Sequence, residues 1–266
     1  MNEAELVYSH VLNCDRLSLY LNQEAHLDKN KSAWISRILS RRIAGEPLQY
    51  ILGVTEFMGL KFKADQRALI PRPETEILVS SALERLNLSS KAIRPKILDL
   101  GTGSGCIAVS IAKLLPQGSI WATDICRPAL QLAEENADAH KVKVRFLRSD
   151  IFSAFKKDPV KFDLIISNPP YIAKGELGGL AKEISFEPVV ALEAGTDGLD
   201  FYRRIINQAA LYLNADGFLA LEVGAGQADS VCGICAEHNF NMPEIIKDYN
   251  DIKRVVIAKP RSPING

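Results

Sequence analysis

Apolar positions recur every three to four residues over 3–13 and 31–44, and each stretch predicts a short amphipathic helix. In the second stretch Trp34, Ile35, Ile38, Leu39 and Ile43 share one face, while Lys31, Arg37, Arg41 and Arg42 lie mostly elsewhere. Gly45-Glu46-Pro47 stops that helix, because proline cannot continue the hydrogen-bond ladder. From Phe57 to Ala64 the period becomes two around Gly59, which predicts a β-hairpin. Ile70-Pro71-Arg72-Pro73-Glu74-Thr75-Glu76 follows. Its prolines hold an extended entry, and its glutamates suit the first turn of a helix running to about Leu86.

Beyond residue 92 the pattern alternates. Strands are predicted at Lys96–Leu100, Ser119–Thr123, Lys143–Leu147, Leu164–Ser167, Phe218–Val223, 244–248 and 253–258. Helical periods lie between most of them, at 104–115, 127–139, 199–213 and 227–238. Such alternation makes an α/β fold: a mostly parallel seven-stranded sheet with helices on both faces. Only Tyr249-Asn250-Asp251 separates the last two strands, which requires a C-terminal antiparallel hairpin at one edge of the sheet. The chain divides into a helical domain at 1–65, a hairpin and helical linker at 66–91, and a larger domain at 92–266.

Composition narrows the class. Of 266 residues, 47% are apolar and 24% charged, which excludes a disordered or collagen-like chain. Lys plus Arg and Asp plus Glu are 32 each, and the balance holds locally, with 11 of each sign before residue 90 and 21 of each after. A nucleic-acid sleeve would be clearly basic. No apolar run approaches the length of a membrane span, and the acidic start resembles neither a secretory signal nor a transit peptide. Five cysteines without framework spacing (14, 106, 126, 232, 235) fit a reduced interior, so a soluble cytoplasmic protein is expected.

Asp99-Leu100-Gly101-Thr102-Gly103-Ser104-Gly105 is a strand end, a glycine turn and a helix start. A dinucleotide site prefers G-x-G-x-x-G, and the spacing here is G-x-G-x-G, with Cys106 one place on. Spacing alone leaves a dinucleotide open. Asp99, however, can receive the ammonium of an amino-acid-like ligand, a group no dinucleotide carries. Asp124 ends the next strand, 19 residues after Gly105, where a carboxylate can accept both ribose hydroxyls. Asp150 follows the third strand and can accept from an adenine amine, with Ile151 and Phe152 as apolar walls. Singly, each aspartate reads as a helix cap or turn residue. Together, at successive strand ends, they outline an S-adenosylmethionine pocket.

The fourth strand ends in Asn168-Pro169-Pro170-Tyr171. Two prolines stiffen the chain beyond the sheet's carboxyl edge, where such folds bind ligands. The Asn168 side-chain oxygen and the Pro169 carbonyl can both accept from one –NH2 group. A conjugated nitrogen is a poor nucleophile, and drawing its protons out of plane restores its lone pair. Tyr171 offers a flat face to stack on the planar group and align it with a methyl donor. All four histidines (10, 26, 140, 238) lie outside this segment, so no histidine base is expected.

The two motifs together resemble the class I methyltransferases that act on planar nitrogens, a Rossmann-like fold. Residues 67–79 (Arg-Ala-Leu-Ile-Pro-Arg-Pro-Glu-Thr-Glu-Ile-Leu-Val) resemble the linker of the HemK/PrmC family in particular, and they are the most specific part of the likeness. Glu46 to Gly53, Phe186-Glu187-Pro188, Gly198 to Tyr202 and Leu221 to Gly224 agree, so it runs from about residue 40 to the end. The resemblance implies methylation of the amide nitrogen of the glutamine in the Gly-Gly-Gln loop of class 1 peptide chain release factors. It implies S-adenosyl-L-methionine as cofactor and S-adenosyl-L-homocysteine as product. Its cofactor residues carry over to Gly101, Thr102, Gly103, Ser104, Gly105, Asp124, Asp150, Ile151 and Asn168, and its glutamine-holding residues to Asn168, Pro169, Pro170 and Tyr171. Ile151 stands where some relatives carry tryptophan. A monomer whose small domain docks the release factor, without stable nucleic-acid or membrane binding, is the expected form.

Two other readings are open. An N6-adenine DNA methyltransferase would share both motifs but needs a domain that grips phosphates, and residues 1–90 have no net charge. A non-catalytic S-adenosylmethionine-binding module would not need Asn168-Pro169-Pro170-Tyr171. The basic residues over 141–161 suggest a solvated edge or the face for an acidic or RNA-bound partner. Cys232 and Cys235 with His238 give three metal ligands at most, and the same stretch fits a helix with its cysteines inward, so no metal site is expected.

Overall fold

The computed structural model describes residues 2–21, 27–89 and 94–261. His26 and the expected domain boundary at 91/92 lie outside the described residues. Helix α1 (Glu3–Leu12) opens on a capping box in which the Asn2 side chain accepts from the Glu5 N–H and the Glu5 carboxylate accepts from the Asn2 N–H. After α2 (Arg16–Leu21) come α3 (Lys29–Ile43) and α4 (Leu48–Leu52). A small core of Val7, Val11, Ile35, Ile38 and Leu48 joins α1, α3 and α4. Only Ile35 and Ile38 of the predicted five-residue face on α3 are buried; Trp34, Leu39 and Ile43 are exposed. Helices α1 and α4 cover one narrow stripe of α3 and leave those three side chains exposed. Helix α3 ends at Ile43, its last carbonyls closed by Gly45 at φ +96° and Glu46, and Pro47 is the N-cap of α4.

Strands β1 (Val54–Phe57) and β2 (Leu60–Lys63) pair antiparallel, turning at Met58 and Gly59, both at positive φ as a two-residue hairpin turn demands. The hairpin thus lies at 54–63, upstream of the 66–91 stretch to which the sequence division assigned it. Phe57 and Phe62 do not join the small helical core. They pack with Leu78, Val79, Ala82 and Leu86 of α5 (Pro73–Ser89) onto one face of the large sheet.

That sheet contains β3 (Lys96–Leu100), β4 (Ser119–Asp124), β5 (Val144–Arg148), β6 (Phe162–Ser167), β7 (Leu213–Glu222), β8 (Glu244–Lys247) and β9 (Lys253–Ala258), in the order β5-β4-β3-β6-β7-β9-β8. Strands β3 to β7 run parallel, and β9 enters antiparallel between β7 and β8 as the closing hairpin requires. Alternate residues feed opposite layers. Ile97, Leu164 and Ile166 join the layer with α5 and α6 (Cys106–Leu114). Leu98, Leu100 and Ile165 join the layer with α8 (Asp200–Tyr212) and α9 (Ala228–Glu237). Helix α7 (Arg127–His140) links β4 to β5. Central strand β3 has its chain successor β4 on one side and β6 on the other, so a crevice opens at the carboxyl ends of β3 and β6. No described helix is long and apolar enough to cross a membrane.

Candidate active site

From Leu100 the chain turns through Gly101, Gly103 and Gly105, at φ +70°, +55° and +81°, into α6. At Gly105 the demand is also steric: a Cβ there would lie 2.9 Å from the Ala133 Cβ and 3.0 Å from its Cα, so glycine alone lets α7 come this close. The Gly101 and Thr102 N–H groups donate to the Thr123 carbonyl at 2.8 and 2.9 Å, which pins the turn to the end of β4. Asp99 is wholly buried beneath it. Its Oδ2 accepts from the Thr102 hydroxyl at 2.6 Å, and its Oδ1 has no hydrogen-bond partner. Burial pushes its carboxyl up to about 7; the Thr102 hydrogen bond acts against that and the Asp124 charge with it. A buried carboxylate oxygen short of a donor fits a ligand that brings a cation.

Asp124 caps β4 with both oxygens used, accepting from the Gly103 N–H at 2.9 Å and the Cys126 N–H at 2.8 Å. Burial raises its pKa and these backbone donors lower it. One lone pair on each oxygen remains for a diol. Asp150 is exposed, and both its oxygens accept from the Arg204 guanidinium at 2.7 Å. Ile151 lines the cleft at φ +51°, its carbonyl held by the Ser149 hydroxyl at 2.7 Å. Phe152 does not line the cleft. It is fully buried and stacks on Tyr212 at 4.5 Å, because the left-handed Ile151 turns the next side chain into the core.

At the end of β6 the Ser167 hydroxyl donates to the Leu100 carbonyl at 2.7 Å and ties the reacting loop to the glycine turn. Asn168, Pro169 and Pro170 line the same cleft as Gly101 to Ser104, Asp124 and Asp150. The Asn168 Nδ2 donates to the Thr75 hydroxyl oxygen at 3.0 Å. That contact commits the amide nitrogen and leaves the oxygen free to accept. Tyr171 is not among the lining residues. It packs against the core under α8 and α9 and close to Gly224, and its carbonyl accepts from Gln227 Nε2 at 2.9 Å.

The linker supplies part of the cleft that sequence reasoning missed. Arg67, Ala68, Leu69, Pro71 and Thr75 form one wall, and Ile125, Ala129, Phe201 and Ile205 others. Tyr50 anchors the linker by donating to the Ala68 carbonyl at 2.7 Å, and Asn136 on α7 donates to both Lys63 and Ser104 carbonyls. The two prolines and the Thr-Glu of 70–76 were a visible signal, but of a helix start only. Pro188, Val190 and Ala191 close the mouth on a segment held down by Arg72, which donates to the buried Glu187 at 2.8 and 2.9 Å.

Other features have local roles. Cys232 and Cys235 face the core from α9, burial pushes the Cys235 thiol up to about 12, and His238 bonds the Ile234 carbonyl at 2.9 Å. Part of the basic stretch lies on edge strand β5, where Arg145 lies 4.7 Å over the Trp121 ring and Arg148 donates to the Ile125 carbonyl. Charged side chains there discourage pairing with another chain.

Residues 75–185 match the methyltransferase small domain family and residues 1–53 the PrmC N-terminal domain. The chain is 42% identical to the release factor glutamine methyltransferase of Thermodesulfovibrio yellowstonii over 97% of its own length and 92% of the relative's. It is 41% identical to that of Geobacter sulfurreducens over 96% and 87%. In fold it is similar to the Thermus thermophilus 16S rRNA N2 G1207 methyltransferase solved with AdoMet and guanosine (TM-score 0.55, 19% identity, 79% of this chain and 50% of that one). A methyltransferase from Pyrococcus furiosus is similar too (TM-score 0.54, 18% identity, 87% and 98%).

Proposed function

The chain belongs to the release factor glutamine methyltransferases, and from that premise we propose that it methylates the side-chain amide nitrogen of the Gly-Gly-Gln glutamine in class 1 peptide chain release factors. S-adenosylmethionine, when bound, supplies an electrophilic methyl on a sulfonium. Asp99, with its unpaired buried oxygen, receives the amino-acid ammonium beneath the Gly101–Gly105 turn. Asp124 takes the ribose hydroxyls. Asp150 and Ile151 border the adenine, with Asp150 shared between the adenine amine and Arg204.

At the reacting end Asn168 Oδ1 and the Pro169 carbonyl accept the two protons of the glutamine –NH2. Pulling those protons out of the amide plane weakens conjugation and exposes the nitrogen lone pair toward the methyl. No strong base would be needed: once alkylated the nitrogen is acidic and sheds one proton to water, while the electron pair of the broken sulfur–methyl bond leaves with S-adenosylhomocysteine. The stiff Pro169-Pro170 pair holds both acceptors in place, so orientation supplies most of the rate. Residues 1–65 dock the release factor, residues 66–91 lead into the site, and residues 92–266 carry the transferase. The protein acts in the cytoplasm, as a monomer, without stable nucleic-acid binding.

The observation that supports this reading is the Asn168–Thr75 hydrogen bond, which commits the amide nitrogen and leaves the oxygen of this cleft-lining residue free to accept. The test is methyl transfer from labelled S-adenosylmethionine to a purified release factor, its Gln→Ala loop variant and duplex DNA. Label on the wild-type factor alone, abolished by Asn168→Ala, is expected. Label on DNA would keep the chemistry and replace the partner.

A further inference from the structure

Behind the reacting loop lies a buried carboxylate that the mechanism does not use. Glu222 ends β7, and the pairing of Ser167 with Leu221 places it beside Asn168 in the next register. It is 2% exposed and Oε2 has no hydrogen-bond partner. Its hydrogen-bonding neighbours are the Thr75 hydroxyl and the Asn168 side chain; Glu74 on α5 and Arg254 on β9 are the charges that act on it. Thr75, 2% exposed, is the acceptor for Asn168 Nδ2 at 3.0 Å. Three side chains from three parts of the chain therefore meet out of water: the linker helix, the reacting loop and the strand beyond it.

The chemistry of the three groups gives that meeting a direction. An ionised carboxylate only accepts hydrogen bonds. Facing it, the Thr75 hydroxyl must point its single proton at Glu222, so its lone pairs are left to accept from Asn168. Only the NH2 end of an asparagine amide can donate, so Oδ1 is turned away from Thr75 and left to accept from a substrate. Replace the carboxylate by a group that also donates and the Thr75 proton is released, both ends of the Asn168 amide find partners, and the orientation is no longer imposed.

We propose that Glu222 is a positioning residue that acts on Asn168, directly beside its NH2 end and through Thr75, to fix which end of the amide faces the substrate nitrogen. It touches neither substrate nor cofactor. Burial pushes its carboxyl up to about 7, with Glu74 in the same direction and Thr75, Arg254 and Asn168 opposing, so it reaches the acceptor-only form near neutral pH. The inference rests on the proposed methyl transfer for its rate effect but not for its geometry.

The experiment has two arms on the full chain. In the first, Glu222→Gln, Thr75→Val, Thr75→Ser and the Thr75→Val/Glu222→Gln double variant are compared with wild type for transfer to a purified release factor. Glu222→Gln and Thr75→Val should lower kcat 10- to 100-fold with KM for S-adenosylmethionine within twofold of wild type. Thr75→Ser, which keeps the hydroxyl, should stay within threefold, and the double variant should be no slower than the slower single one, because one chain is cut twice. In the second arm the Asn168 side-chain amide is followed by NMR in protein labelled with ¹⁵N-asparagine and assigned by the signal missing in Asn168→Ala. Its NH2 protons should exchange slowly in wild type and at least tenfold faster in Glu222→Gln and in Thr75→Val. An unchanged kcat in Glu222→Gln, losses that multiply in the double variant, or unchanged amide exchange would each overturn the proposal. Should wild type transfer nothing to the release factor, the proposed function fails, and the exchange measurement decides the role of Glu222 by itself.

Discussion

Asp99→Asn separates what the buried carboxylate costs the fold from what it does for the cofactor. The carboxyl ionises near 3.8 in an unfolded chain and at about 7 in the folded one. Between those values the native state holds more protons than the unfolded state, so stability falls as pH rises through the window and the full cost is present above pH 7. That cost reaches about 4 kcal/mol at pH 8, of which about 2 to 3 kcal/mol accrues between pH 5 and pH 8. Asparagine keeps the shape and the acceptor for Thr102, and its NH2 simply replaces the unpaired oxygen at a pH-independent penalty of about 1–3 kcal/mol. Glu222 titrates in the same range but is common to both proteins and cancels. The assay is thermal unfolding of both proteins at pH 5, 6, 7 and 8, each with and without S-adenosylmethionine. At about 2 °C per kcal/mol, the variant's Tm should rise relative to wild type by about 5 °C from pH 5 to pH 8. Cofactor at 100 times Kd should stabilise wild type by about 2.7 kcal/mol and the variant hardly at all. A Tm difference flat in pH, or an equal cofactor shift in both proteins, would refute this account of Asp99.

Gly105→Ala places a Cβ 2.9 Å from Ala133 at a positive φ, so we expect a loss of about 2–4 kcal/mol, read as a lower urea midpoint with an unchanged m-value. Arg204→Ala removes an ion pair whose partners are both about half exposed, so stability should change by less than about 1 kcal/mol. The freed Asp150 should then bind S-adenosylmethionine at least as tightly as before, and calorimetry showing weaker binding would assign Arg204 a direct role. Arg72→Met strands the buried Glu187 carboxylate and should cost about 2–3 kcal/mol, with faster limited proteolysis within residues 172–191; wild-type cleavage rates would count against that clasp.

Much of this molecule is local, and local patterns are legible in a linear chain. Short apolar runs marked the sheet strands, and Tyr249-Asn250-Asp251 announced the antiparallel closing hairpin, because strand propensity and tight turns act over a few residues. The glycine turn and Asn168-Pro169-Pro170-Tyr171 were readable for the same reason: positive φ and lost donors are properties of the residues themselves. Even their proximity followed, since strand–helix alternation puts the carboxyl ends of the parallel strands at one edge of the sheet.

What the chain alone did not decide was partnership across distance. Thr75 and Asn168 are 93 residues apart in sequence, and Arg204 and Asp150 are 54 apart; nothing in either segment announces the other. Phe152 reads as a pocket wall until the left-handed Ile151 sends it to Tyr212, and Trp34, Leu39 and Ile43 read as buried until too few helices arrive to cover them. The hairpin at 54–63 alternates as expected, yet which core receives Phe57 and Phe62 was settled by the face that α5 left open. Local propensity limits what each segment can be. Which side chains meet, and which end of an amide faces a substrate, depends on how the layers pack and on the hydrogen bonds that become available only once water is gone.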